Sequence, residues 1–294
     1  MPHLLLLLLP VLISFAVPSA EQPQSSGPTL YLSRTAGANW VDFTEGLPSH
    51  AQPRGVAEAP DGTLYLTTIG AGVWAMLPGD CVWQPRSSGL PLDDPYFFPV
   101  GMTVHGQRLI LSNMIDGIWL SDDEGLNWRR CQGKSPATAG AFYADDGLLL
   151  AGSHSGVWQS TDNGESWFQR AQFRDRINAI TGYRGTIVVA RQNGLGILAG
   201  DRIVWSPTTS DTALLQLFPE DDFVYAVNFL GEIFRSADGQ HWEKSARIAT
   251  AAGPYPTLGE ALWRGYRAGP DGDAPAGTIT PTRRGWVVGL RSGC

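Results

Sequence analysis

Outside its first 20 residues, this chain has no apolar run near the about 18 residues a membrane helix requires, so no membrane span is expected. Charge is sparse at 17%, and its balance is acidic: 21 Lys and Arg face 28 Asp and Glu, for a net charge of −7. A nucleic-acid partner is therefore not expected. Histidine is scarce and scattered, as His3, His50, His105, His154 and His241, never at i and i+4. The three cysteines, Cys81, Cys131 and Cys294, match no zinc spacing. No metal site is expected; at most one disulfide forms, and which pair forms it stays open. No cofactor motif stands up either. "GAGVWA" (70–75) fits a dinucleotide-type GxGxxA but reads as a strand-turn-strand, and "GSHSG" (152–156) has His154 where a nucleophile elbow needs Ser.

What the chain does contain is glycine and tryptophan, 35 and 11 residues, which suits many short strands joined by tight turns. The start, MPHLLLLLLPVLISFAVPSAEQ, reads as a secretory signal peptide over 1–20, which implies a secreted or periplasmic product. The remaining 21–294 is expected to form one domain. Within it "GIWLSDDEGLNW" (117–128) and "GVWQSTDNGESW" (156–167) are near copies, "GEIFRSADGQHW" (231–242) is a shorter one, and "LYLSRTAGANW" (30–40) keeps Ser, Gly and Trp. Two eroded copies end at Trp83 and Trp205. The closing tryptophans, 40, 83, 128, 167, 205 and 242, recur at intervals of 37 to 45 residues.

Upstream of each closing segment lies an apolar run after a small turn, such as "DGLLLAGS" (146–153), and before that a short alternating run. Each unit thus reads as four antiparallel strands, A to D. About 40 residues per four-stranded unit predicts an all-β fold, a β-propeller. The last run, "GTITPTRRGWVVGLRSG" (277–293), resembles strands A and B, and "TLYLSRTAGANW" resembles strands C and D. Joined, they complete one blade and close a ring of six four-stranded antiparallel blades; seven is the less favoured count.

The spacing SxDxGxxW, as Ser121, Asp123, Gly125 and Trp128 and again as Ser160, Asp162, Gly164 and Trp167, resembles the Asp-box (BNR) repeat; Ser236, Asp238, Gly239 and Trp242 are a shortened version. That repeat occurs in sialidases, other glycoside hydrolases, and photosystem II assembly or stability factors. Fold is implied strongly and function weakly. Ser and Asp can accept hydrogen bonds from turn amides, Gly can take positive φ, and Trp can cap the inter-blade core, so all these residues are read as structural. A sialidase also needs an arginine triad, a Tyr–Glu pair and an early FRIP-like segment. No FRIP-like segment exists; "FRDR" (173–176) lacks the proline. No catalytic residue is assigned. Asp93, Asp94 and Asp116 are the acids a glycoside hydrolase would draw on, so that reading stays as the alternative. The photosystem-factor resemblance implies instead a protein-binding module with no catalytic groups.

In an up-and-down blade the A–B and C–D turns share one end, and the B–C and D–A connections share the other. The second end is the candidate functional face. Its D–A connections are read as 42–55, 85–98, 129–139, 168–177, 206–213 and 243–277. Arg129, Arg130, Lys134, Arg170, Arg174, Arg176 and Arg191 fall in the sector of blades 3 to 5, with Asp93, Asp94 and Asp116 in the neighbouring sector. The arginines are candidates for binding an acidic protein segment or a carboxylated glycan; the bland alternative is ordinary solvated loop charge. The product is expected to be a monomer with a protein or carbohydrate ligand. The stretch 245–276 breaks the period and reads either as a short helical lid or as a disordered insertion.

Overall fold

A computed structural model of the chain describes residues 30–34, 41–145, 147–210, 213–220, 222–228, 232–245, 276–282 and 284–290. The leader at 1–20, Trp40, residues 246–275 of the period-breaking stretch and Cys294 lie outside the described residues. The described residues fold into six four-stranded antiparallel sheets and contain no helix.

Blade 1 draws on both ends of the chain, with β1 (Leu30–Ser33) and β2 (Val41–Asp42) from the start. Blade 2 is β3 (Gln52–Glu58), β4 (Leu64–Ile69), β5 (Gly72–Met76) and β6 (Gln84–Pro85). Blade 3 is β7 (Pro99–His105), β8 (Arg108–Asn113), β9 (Gly117–Ser121) and β10 (Arg129–Arg130). Blade 4 is β11 (Ala141–Asp145), β12 (Leu148–Ser153), β13 (Gly156–Ser160) and β14 (Phe168–Gln172). Blade 5 is β15 (Ile177–Tyr183), β16 (Thr186–Arg191), β17 (Gly194–Ala199) and β18 (Arg202–Thr209). Blade 6 is β19 (Leu214–Pro219), β20 (Val224–Asn228), β21 (Ile233–Ser236) and β22 (Glu243–Ser245), after which β23 (Ala276–Thr282) and β24 (Gly285–Leu290) complete blade 1.

The terminal strands meet as the sequence pattern predicts. Blade 1 is ordered β2-β1-β24-β23, with Leu30 opposite Gly289 and Leu32 opposite Val287. Its β23 lies against β3 of blade 2. Arg284, in the β23–β24 turn, fastens the same junction from the A–B end, donating to the Asp80 carbonyl at 3.3 Å and the Leu77 carbonyl at 2.5 Å.

The apolar cores lie between successive blades, because alternating strand residues face the neighbouring sheet on each side. Leu111 and Trp128 of blade 3 pack with Tyr65 and Val73 of blade 2, and Leu149 and Trp167 of blade 4 with Ile110 and Leu120 of blade 3. Trp83, Trp128, Trp167 and Trp242 are all buried. Three of them also donate their backbone N–H to the D–A segment of the preceding blade: Trp83 to Glu45, Trp128 to Ser88 and Trp167 to Lys134, at 2.7 to 2.8 Å. The glycine after two of those acceptors permits the approach. A Cβ on Gly46 or Gly89 would lie 2.4 or 2.5 Å from the facing tryptophan carbonyl oxygen.

The S-D-G-W turns between strands C and D close on themselves. Ser121 donates to Asp123 Oδ1 at 2.9 Å while its Oγ accepts the Gly125 N–H; Asp123 in turn accepts the backbone and side-chain N–H of Asn127. Ser160, Asp162 and Ser166 repeat the arrangement, as do Ser236 and Asp238 with the Gln240 and His241 amides. The Asn127 bonds hold Asp123, and the His241 bonds hold Asp238, below the usual carboxylate range. These acids are committed to their own turns.

Two sequence-based boundaries are corrected. Strand D begins directly after the closing tryptophan, so Arg129, Arg130 and Arg170 lie in β10 and β14, not in loops. In blade 5 a tight Gly200–Asp201 turn replaces the S-D-G-W turn, and Trp205 lies within β18 opposite Gly196. It is half-buried and does not close the blade.

Candidate binding site

Of the six arginines, two turn to the C–D end, three lie at the junction of blades 4 and 5 on the loop face, and Arg130 stands apart from both groups. Arg129 turns toward the C–D end, donating to both Glu165 carboxylate oxygens and to Asp122 at 3.2 Å. Arg108 completes the cluster, reaching Asp122 at 2.5 Å and Glu165 at 3.0 Å. It bridges blades 3 and 4. The Arg108 bond holds Asp122 below its usual range, the Arg129 bond does the same for Glu165, and Glu165 raises Arg129 in return. Arg170 also turns to that end, bonding the Gly200 carbonyl and Gln159. Arg129 and Arg170 are thus corrected from binding candidates to inter-blade ties, because strand D starts at the C–D end. Arg130 reaches back to the Asp116 carbonyl at 2.9 Å, at the edge of the blade 3 B–C loop.

Arg174, Arg176 and Arg191 lie on the loop face, at the junction of blades 4 and 5. The segment following β14 carries Phe173, Arg174, Asp175 and Arg176, and β16 ends at Arg191 where the B–C loop begins. The Arg191 guanidinium lies 4.3 Å from the Trp205 ring centroid and 5.0 Å from that of Phe173, and the two rings are 4.9 Å apart. Glycine makes room for the arginines: a Cβ on Gly194 would lie 2.6 Å from Arg191 Nε, and one on Gly140 would lie 2.7 Å from Arg176 Nη2. Asp175 accepts the Arg176 backbone N–H at 2.8 Å and lies 3.9 Å from Arg191. Of the three guanidinium groups only that of Arg191 is within ion-pair reach of Asp175, so this segment carries more positive than negative charge.

The Nε atoms of Arg176 and Arg191 are buried with no hydrogen-bond partner among the described residues. Each such donor costs about 1–3 kcal/mol. For Arg191, stacking on Trp205 and Phe173 offsets part of this, since a cation over an aromatic face gains about 0.5–2 kcal/mol. Arg174 beside them is exposed. The result is one aromatic-backed guanidinium, Arg191, with the half-buried Arg176 and the exposed Arg174 in the neighbouring segment, a set suited to carboxylate recognition.

Sequence reasoning missed the aromatics. Phe173 directly precedes the arginine-bearing segment, but Trp205 was hidden by being counted among the closing tryptophans. A Gly-Asp pair between two apolar runs was the signal that blade 5 turns differently. Asp93 and Asp94 are exposed in the blade 2 D–A loop, and Asp116 is half-buried in the blade 3 B–C loop. No group of three or more His, Cys, Asp or Glu suited to a metal occurs among the described residues. Cys81 is exposed and Cys131 buried, and they form no disulfide with each other.

No protein-family model matches the chain, and no curated protein matches it. Solved structures do. A chain of a nidogen–laminin complex superposes with a TM-score of 0.54 at 12% identity, over 72% of this chain and 89% of that one. YCF48 bound to a D1 peptide superposes with a TM-score of 0.52 at 13% identity, over 84% and 93%. At such identities the likeness concerns the backbone alone, and with the six sheets described above it makes this chain a β-propeller.

Proposed function

We propose that this propeller is a binding module of the Asp-box repeat superfamily, built as one domain over 21–294, exported to the cell exterior or periplasm and acting as a monomer. Its loop face engages an acidic protein segment or a carboxylated glycan through Arg174, Arg176 and Arg191. The observation carrying this reading is the Arg191 guanidinium stacked on Trp205 and Phe173, with two further arginines beside it and one carboxylate among them. The propellers it resembles in fold include one bound to a D1 peptide and one from a nidogen–laminin complex, which supports a protein ligand. Export rests on the apolar leader.

Calorimetry with a glutamate-rich peptide and with sialyllactose tests the reading. Binding of either should weaken as salt rises and vanish in the Arg174→Glu/Arg176→Glu variant, with circular dichroism checking that its fold is kept; Arg174→Glu alone should weaken binding with melting unchanged, since an exposed loop charge contributes within about 0.5 kcal/mol. Binding that survives the double reversal refutes the site. Turnover of fluorogenic glycosides that is abolished by Asp93→Asn, Asp94→Asn or Asp116→Asn replaces the binding reading with a glycoside hydrolase.

A further inference from the structure

The loop face carries a second feature, one sector away, that the arginine site leaves unused. Among the described residues nine large hydrophobics are exposed, and four of them lie on two adjoining loops: Leu92 and Tyr96 on the segment between β6 and β7, Met114 and Ile115 on the turn between β8 and β9. The other five lie apart on outer strands or C–D turns, where single exposed hydrophobics are ordinary. Tyr96 is 65% exposed and Ile115 57%, so neither is sheltered by its own fold.

The two loops form one platform. The Met114 N–H donates to the Phe98 carbonyl at 2.9 Å, and the Phe98 N–H donates to Asn113 Oδ1 at 2.7 Å. Beneath, Phe97 is buried and stands edge-on to Trp119 at 6.0 Å. The Asp94 side chain accepts the Tyr96 N–H at 2.9 Å, which fixes the loop that presents the tyrosine. An apolar surface held this firmly loses little entropy when covered.

Charge selects the occupant. Asp93, Asp94 and Asp116 flank the four apolar side chains, and none of the three carboxylates is in an ion pair among the described residues. Arg130 is at the edge, its Nε bonded to the Asp116 carbonyl. A second copy of the chain docking patch on patch would bring the same acids together, since a two-fold contact is self-complementary. An anionic membrane is disfavoured for the same reason. We infer that this surface on blades 2 and 3 is a separate docking site for a protein segment in which aromatic or aliphatic side chains alternate with lysine or arginine. Its charge preference is opposite to that of the arginine site, so the two sectors of one face reject each other's ligands.

Selection of random twelve-residue peptides displayed on phage against the immobilised full chain is the test, followed by fluorescence polarisation with the enriched peptides. The expected result is enrichment of apolar side chains beside Lys or Arg. Their affinity should fall about ten-fold or more in Tyr96→Ser/Ile115→Ser. It should lose most of its salt dependence in Asp93→Asn/Asp94→Asn, and it should be unchanged in Arg174→Glu/Arg176→Glu. All four side chains substituted in the first two variants are exposed, so circular dichroism and melting should match the parent protein. Absence of basic-apolar enrichment overturns the inference, as does binding insensitive to Tyr96→Ser/Ile115→Ser. Sedimentation showing a dimer that the same variant dissolves also overturns it, in favour of a second copy.

Discussion

Gly89→Ala tests whether the tryptophan clasp between blades holds the ring together. Gly89 has φ +85°, where an L-residue costs about 1–2 kcal/mol. Its new Cβ would lie 2.5 Å from the Trp128 carbonyl oxygen and 3.3 Å from the Trp128 nitrogen. That backbone cannot step aside cheaply, because the Trp128 N–H is bonded to Ser88 at 2.8 Å and its Nε1 to the Arg86 carbonyl at 2.7 Å. Relief requires breaking about one hydrogen bond, roughly 1 kcal/mol, or shifting a fitted core side chain, about 1–3 kcal/mol. The expected loss is therefore about 2–5 kcal/mol. Gly79→Ala separates the two contributions, since Gly79 has φ +92° but an added methyl group there would meet nothing within 4 Å, so only the conformational cost of about 1–2 kcal/mol applies. Urea unfolding followed by tryptophan fluorescence should find Gly89→Ala less stable than Gly79→Ala by about 1–3 kcal/mol, seen as a lower midpoint at equal slope. Equal midpoints would refute the clasp.

Two further expectations rest on the same geometry. Deleting 285–294 removes β24, the strand joining β1 to β23, and should lower the melting temperature of the whole domain; Arg284→Ala should lower it by less, since it removes only bonds to blade 2 carbonyls. Unchanged melting after the deletion would sink closure through blade 1. The Arg108–Asp122–Arg129–Glu165 cluster makes a pH-dependent contribution. Asp122 and Glu165 are held below their unfolded values of about 3.9 and 4.3, so their contribution is complete above those values and is lost as pH falls through the lower folded ones. With side chains 50% and 37% exposed, solvent screening limits it to about 1 kcal/mol or less. The stability gap between the parent protein and Glu165→Gln, measured by urea unfolding from pH 6 downward, should close in acid; a constant gap contradicts the ion-pair account.

The repeat made the blades, their number and the terminal pairing legible, because each blade needs the same turn, cap and alternation wherever it stands. Even so, one periodic device passed unnoticed. "EGLP" (45–48) and "SGLP" (88–91) follow Trp40 and Trp83 at the same distance, and they mark where the next tryptophan docks. Strand ends were harder to place, since two-residue strands such as Arg129–Arg130 carry no alternation to read. That error moved Arg129 and Arg170 onto the wrong end of the fold.

The site itself was only half legible, for a reason that follows from the architecture. A repeat enforces residues that every blade needs, so what distinguishes one sector from another must lie where the pattern fails. Blade 5 has lost the S-D-G-W turn, and its Gly200–Asp201 hairpin lets β18 start at Arg202 and carry Trp205 into mid-strand. There the indole no longer seals the junction as Trp128 and Trp167 do; half-buried, it turns its ring to Arg191 and Phe173. The same junction keeps a partly buried aromatic pair in the core cluster of blades 4 and 5, so the packing lost by the missing cap is recovered around the arginine. The eroded copy is thus the one that carries the proposed arginine site.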